Sequence, residues 1–453
     1  MNNFKLTPDM RSFFPLKSFY WIIGVWLVLA ALNFWSLEHW KFTGADLFFP
    51  FSVLYPSNFL LSGFLFAGVF LLMGYYFWQR QEGFSITQVL FISVLLVIFG
   101  NMAQGNLDIA MEQPFYLKGR QYYHDAVHVL HPAQFLETFN ANQDQFQMHT
   151  RTHPPFVVLL HWVFLKISGG SILFLSVAFF LISALFFPVL HQILKNFGFS
   201  ARRRRKVLLL AAVIPSVNIY LLVSLDGIIL MTVSLLLWAI SRIYRDGRTD
   251  AKSVLLMVSS VILTNMLSFS GLFLLAFLGL YSLFFMAKRQ FGFVWITAAL
   301  TGIMILFFTI IYWVSGYHQL DAFLHASASE NPKGFMLLHQ PYIYFWTRLQ
   351  AAGEIMMFLS LGFCAVLLGG HKYSVQLFAD AAINRVFIAG VSALLLMFLT
   401  GAYGTGETAR ACLFIVPFFL LLLKNLRNET IFIVYFLSLF QTFGMQTIGN
   451  FFW

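Results

Sequence analysis

Charge is what this chain has least of: 10% of its residues are Asp, Glu, Lys or Arg, and only 18 of its 453 are acidic. Soluble globular domains use charged residues at about 25%, so a chain of soluble domains is excluded. Cysteine is nearly absent as well. Cys364 and Cys412 both lie inside apolar runs, which leaves neither a disulfide framework nor a thiolate zinc site. No HExxH or comparable ligand pair on one helix face occurs. No internal repeat, low-complexity tract or Gly/Ser- or Pro-rich linker sets off a soluble domain, so residues 1–453 read as one membrane-embedded domain.

What is there is hydrophobicity: 59% of the residues are hydrophobic and the mean hydropathy is +0.77, values of the membrane class. Stretches of roughly 20 apolar residues, or somewhat fewer where neighbours help, run Phe19 to Leu37, Phe59 to Trp78, Val89 to Gln104, Ser171 to Leu194, Val207 to Val223, Ile228 to Ile243, Val254 to Leu267, Gly271 to Met286, Phe291 to Val314, Glu354 to Leu368, Val386 to Thr400, Ala411 to Leu423 and Ile431 to Phe443. The fold expected is all-α and polytopic, a bundle of about 12–14 transmembrane helices. Residues 1–80 supply two N-terminal helices of unassigned role, the first uncleaved because no small-residue cleavage site follows Lys5, Arg11 and Lys17. A long loop in the first half, 105–155, holds interfacial helices, and a second spans 315–353.

The net charge of +10 is a matter of topology rather than nucleic-acid binding, because the basic residues cluster between apolar runs. The clusters are the N-terminus, Arg80, Ala201 to Lys206, Arg242 to Arg248, Ala287 to Gln290, His371 with Lys372, and Lys424 with Arg427. With these on the cytoplasmic side, the loops 38–58, 105–155, 315–353 and 401–410 and the corners at Ser224 to Gly227 and Ser268 to Ser270 share the other face. Phe156 to Lys166 is too short for a crossing and is expected to be incomplete or interfacial. The chain is thereby expected to be multi-pass, with these loops and corners facing away from the cytoplasm.

The unusual polar residues gather on that outer face. Asp108 follows a spanning helix closely, where partial desolvation suits a base, though a solvated loop accounts for it equally. Asp125 sits in QYYHDAVHV, whose apolar spacing suggests a helix on the membrane surface. In QMHTRTHPPF, Pro154 and Pro155 suit the first turn of a helix, but helix initiation does not explain His149, Arg151 and His153. Imidazoles, an arginine fork and free helix N–H groups would hold a phosphate by charge-assisted hydrogen bonds. His161 reads as a packed histidine. Asp226, at the tip of a hairpin, is costly near a bilayer unless paired or used. Glu407 and Arg410 stand three residues apart at a helix entrance, where they either pair with each other or serve a site.

Taken in order, YYHDAVHV, FLETF, HTRTHPP, VSLDGIILMTVSLLLW and GETARACLFIVPFFLLL resemble a bacterial group of the GT-C superfamily, integral-membrane glycosyltransferases that draw sugars from polyprenyl-phosphate donors. The resemblance runs from about Asp108 to the C-terminus and implies a GT-C-like bundle. It points to Asp125 or Asp108 as the acidic residue of the first outer loop, and matches His153, Pro154 and Pro155 to the THPP element. It further matches Asp226 to the acid of the second outer corner and Glu407 and Arg410 to a late helix start. Phe156 departs from it, standing where the group has glycine. The implied reaction moves a sugar, with inversion, from the polyprenyl-phosphate donor to a lipid, glycan or protein acceptor. Asp125 or Asp108 would serve as base, Asp226 would be a further catalytic acid, and His149, Arg151, His153, Glu407 and Arg410 would hold the donor. A divalent cation, Mg or Mn, would replace part of the cationic set, and membrane lipids would surround the bundle. The alternatives from other classes are a transporter or flippase of a lipid-linked or anionic solute, and a protein like the O-antigen ligases or polymerases.

Overall fold

Proline and small polar residues decide where the helices of this chain stop. The computed structural model describes residues 20, 21, 24, 25, 28, 55–57, 59–117, 121–369, 371–402 and 407–450. Most of the stretch Phe19 to Leu37 and of loop 38–58, with Lys118, Arg120 and residues 403–406, lies outside the described residues. Within them the protein is all-α apart from one short antiparallel pair, Tyr55–Pro56 with Gly449–Asn450.

Seven described helices are long and apolar enough to cross a membrane: Leu61–Gly83, Ile172–Asn196, Leu225–Asp246, Phe269–Met286, Gly292–Ser315, Ala381–Leu399 and Asn428–Ile448. The protein is therefore a polytopic membrane protein. The other expected crossings are short or broken. Ile86–Met102 and Ala251–Leu267 are 17 residues each, the lower end of what about 30 Å of hydrocarbon needs. Glu354 to Leu368 is not one span: Pro341–Leu359 and Leu361–Leu367 meet at 108°. Ser360 sits at the bend with φ +94, and Gln441 makes the bend good by donating to the Met357 carbonyl and accepting the Leu361 N–H, each at 2.8 Å.

Val207 to Val223 is likewise divided, into Ala201–Val213 and Pro215–Tyr220, because Pro215 has no N–H to continue the ladder. Two carbonyls left open are answered from within the bundle, Ala212 by Asn218 Nδ2 and Val213 by Thr442 Oγ1, both at 2.8 Å. Asn218 is itself held by Gln446 Nε2 at 3.1 Å, and Gly100 lets it approach, since a Cβ there would collide with its amide. In hydrocarbon such bonds contribute about 0.6 kcal/mol each, and here they fix the direction in which the chain leaves toward residue 226.

Among the described residues, the clusters at 201–206, 242–248 and 424–427 meet at one end of the bundle, while the N-terminal cluster lies outside the described residues. Arg202 reaches Glu82 at 2.5 Å, Arg203 donates to the Leu423 carbonyl at 3.3 Å, Lys206 to Asn428 at 3.0 Å, Lys424 to Asp380 at 2.7 Å, and Arg245 to Asn196 at 2.7 Å. Leu225–Asp246, 22 residues long, spans about 33 Å, so Asp226 is at the opposite end from Arg242 and Arg245. Asn196 lies at the basic end, which puts Ile172 and the neighbouring helix Phe156–Ile167 on the Asp226 side. At 12 residues, or about 18 Å, that helix does not cross.

On the Asp226 side, residues 107–117 and 121–151 form short helices over the bundle, among them Tyr122–Ala126, Pro132–Asn142 and Met148–Arg151. The second loop folds onto them. Asn140 and the backbone of His318 exchange two hydrogen bonds, at 2.9 and 3.0 Å, Gln143 donates to the Ala322 carbonyl at 2.9 Å, and His325 meets Asp144 at 2.8 Å. Asp321 is occupied by His318 at 2.9 Å. The two loops thus make one roof.

Candidate active site

Under that roof lies a cavity of about 90 Å³ lined by Tyr122, His149, His153, His161, Asp226, Glu407 and Arg410, with Pro114, Phe115, Gln121, Val223, Ser224, Leu225 and Ala411 completing the wall. Residues from five separated parts of the chain meet there. Asp226 stands in the first turn of Leu225–Asp246, where the N-terminal end of the helix dipole favours a carboxylate. Ser224 shapes the turn, donating to the Tyr220 carbonyl at 2.7 Å and accepting the Gly227 N–H at 3.4 Å. Gly227 is needed because a Cβ would lie 2.7 Å from both the Leu221 carbonyl and Ser183 Oγ.

Arg410 comes from the one-turn helix Thr408–Ala411. A buried glutamate fixes that helix: Glu354, 1% exposed, accepts the N–H groups of Thr408 at 3.2 Å and Ala409 at 3.1 Å. The two donors are open at the start of any helix, and an acid suits that end. Arg348 steadies the lead-in by donating to the carbonyls of Phe398 at 3.2 Å and Ala402 at 2.6 Å.

So held, Arg410 Nη2 lies 2.6 Å from Glu407 Oε2 and Arg410 Nε lies 3.6 Å from Asp226 Oδ2. Burial works against its charge, yet Glu407 and Asp226 keep the guanidinium above its ordinary range. The inventory is two carboxylates against one cation. Glu407 is clasped directly, and Asp226 is the less committed of the pair.

Three imidazoles surround one phenol. The Tyr122 ring centroid is 5.9 Å from His149, 5.4 Å from His153 and 5.5 Å from His161. Burial, then the charges of Asp226 and Glu407, hold the phenol well above its usual range, so Tyr122 is a neutral donor. His153 Nδ1 lies 3.0 Å from the His149 carbonyl, which assigns the proton to that nitrogen and leaves Nε2 as an acceptor. Burial and the Arg410 charge lower its pKa from 6.5 to about 4. At neutral pH His153 is therefore a neutral imidazole whose Nε2 can accept a hydrogen bond. His161 is both packed and cavity-lining, its Nδ1 2.8 Å from the Val157 carbonyl. Pro154 and Pro155 lead directly into Phe156–Ile167, and Phe156 turns away from the cavity to meet Tyr317 edge-on at 5.5 Å.

No family model, curated protein or solved structure matches the chain.

Of the expected site residues, the cavity brings together His149, His153, Asp226, Glu407 and Arg410 and leaves out Asp108, Asp125 and Arg151. Asp108 is exposed and occupied by Gln113 Nε2 at 2.8 Å and the Tyr116 hydroxyl at 3.2 Å. Asp125 accepts the Gln147 N–H at 3.0 Å. Burial raises the Asp125 carboxyl above its usual range, against that bond and the charges of His124 and His128. Arg151 stands outside the lining beside Glu330, whose carboxyl also feels Glu407. Among the described residues no group of three or more His, Cys, Asp or Glu converges as a metal site, and the two cavity carboxylates already face Arg410. The described residues of the cavity do not form a set for Mg or Mn.

Proposed function

We propose that the protein is a membrane glycosyltransferase that moves a sugar from a polyprenyl-phosphate donor to an acceptor hydroxyl, in the manner its GT-C resemblance implies. The observation that carries this reading is the meeting of Asp226, Arg410, Glu407, His153 and Tyr122 in one cavity at the end of a membrane span. Such a place suits a substrate whose tail stays in lipid while its sugar leaves it. The base is Asp226 rather than Asp125 or Asp108, since it is the cavity carboxylate held more loosely by Arg410. It removes the acceptor proton as the acceptor oxygen bonds to the anomeric carbon, and the carbon–oxygen bond to phosphate breaks with its electron pair leaving on the polyprenyl phosphate. One such displacement inverts the sugar carbon. Arg410 faces the charge that develops, Arg151 outside the cavity meets the phosphate, and Tyr122 donates a hydrogen bond.

The sharp helix bend at Ser360 favours a second reading, a transporter or flippase, because transporters place substrates at broken helices. That bend is filled, however: Ser438 donates to Ser360 Oγ at 2.7 Å and Gln441 takes the open backbone groups. The test is incubation of purified full-length protein with a panel of radiolabelled polyprenyl-phosphate sugars and acceptors. Release or transfer of label by wild type and Asp125→Asn, and its loss in Asp226→Asn, supports the reading. Transfer at wild-type rate by Asp226→Asn removes the base, and translocation of intact lipid in proteoliposomes without chemical change favours the transporter.

A further inference from the structure

The basic run from Arg202 to Lys206 divides into two sets. Arg202 and Glu82 form an ion pair, Arg203 binds the Leu423 carbonyl and Lys206 binds Asn428, with Glu429 adding its charge beside Arg203 and Lys206. Arg204 faces the other way. One terminal nitrogen donates to the Phe199 carbonyl at 2.9 Å, Arg204 and Lys195 both bear on His191, and Arg205 bears on Arg204. Three buried nitrogens on this side, His191 Nδ1, Arg204 Nε and Arg205 Nε, have no hydrogen-bond partner among the described residues. Like charges drawn together repel, and a buried polar atom left unbonded is destabilising. One bound anion would relieve both.

The surface leading to this corner indicates which anion. His191 and Lys195 are four residues apart on Phe186–Asn196, hence on one face. Toward the middle of the bundle, the same side of Ile172–Asn196 exposes Pro188, Leu185 and Leu181, the leucines 51% and 60% exposed. That strip lies against acyl chains in a bilayer and ends at the cations, an arrangement a free phosphate would not use. We propose that His191, Lys195 and Arg204 hold the phosphate of an anionic phospholipid, with Arg205 beside it and the acyl chains along Leu185 and Leu181.

The test is native mass spectrometry of the full chain in detergent, titrated with phosphatidylglycerol, phosphatidylcholine or inorganic phosphate. One phosphatidylglycerol should be retained in preference to phosphatidylcholine. Its dissociation constant should rise about fivefold for each charge removed in Arg204→Gln and Lys195→Gln, and stay at the wild-type value in Arg202→Gln, whose partner is Glu82. Lys195 is exposed, so Lys195→Gln keeps the test decisive even if Arg204→Gln does not fold. Equal retention of phosphatidylcholine, or wild-type affinity in Lys195→Gln, overturns the site. Complete displacement of the lipid by inorganic phosphate assigns the corner to a soluble anion and overturns the lipid.

Discussion

The Asp125 carboxylate accepts the Gln147 N–H at 3.0 Å across 22 residues of chain, tying the helix that carries Tyr122 to the one that carries His149. Its work is to hold two walls of the cavity in register. Asp125→Ala should lower stability by about 1 kcal/mol, the usual net contribution of one hydrogen bond. Turnover should fall only a few-fold. Thermal melts and initial rates on the same preparation check both, and a loss of activity as large as that of Asp226→Asn would return Asp125 to the chemistry.

Asp226→Asn keeps the shape of the cavity and removes the proton acceptor. The expected fall in kcat is about 10²–10⁴-fold, with donor binding little changed because the neutral amide does not weaken Arg410. Steady-state rates beside direct donor-binding measurements separate the two quantities.

Glu354→Gln exchanges one acceptor oxygen for a donor group facing the Thr408 or Ala409 N–H. A buried N–H left unsatisfied costs about 1–3 kcal/mol, and the one-turn helix should loosen. The expected outcome is a lower melting temperature together with faster hydrogen exchange confined to residues 407–412. Melting unchanged from wild type would deny Glu354 its hold on Arg410.

His153 gives a pH signature. Its folded pKa is depressed to about 4 from 6.5, so between these values the unfolded chain binds a proton that the folded protein refuses. Stability is full above pH 6.5 and is lost as pH falls toward 4, by on the order of 3 kcal/mol from this group. His153→Gln should flatten that part of the wild-type curve in melts at pH 7.5, 5.5 and 4.5. A curve as steep as wild type in the variant would mean that His153 is already protonated in the folded state.

Rarity made much of this site legible in the sequence. Asp226, Glu407, Arg410, His149 and His153 stand out because ionisable groups beside apolar runs are costly, and the basic clusters at 201–206, 242–248 and 424–427 do meet at one end of the bundle. Tyr122 was hidden among many aromatics with nothing local to mark it. Glu354 reads as the first residue of a crossing, although a carboxylate within an apolar stretch is itself a signal. Ranking Asp226 above Asp125 needed the tertiary structure, since both are lone acids near a membrane face and only packing decides which one lines a cavity. Val207 to Val223 reads as one crossing although Pro215 marks its break locally, whereas Ser360 bends the chain without proline or glycine, through partners on Asn428–Ile448 that no local pattern reveals.

The two-way exchange between Asn140 and His318 joins positions 178 residues apart. A ribosome must therefore finish most of the chain before the roof can close, and Arg410 arrives later still. Shortened products of interrupted synthesis would hold Tyr122, His153 and Asp226 without their counter-cation, so no partial chain has partial function. Membrane insertion ends, for this protein, with the last third of the sequence switching on what the first two thirds contain.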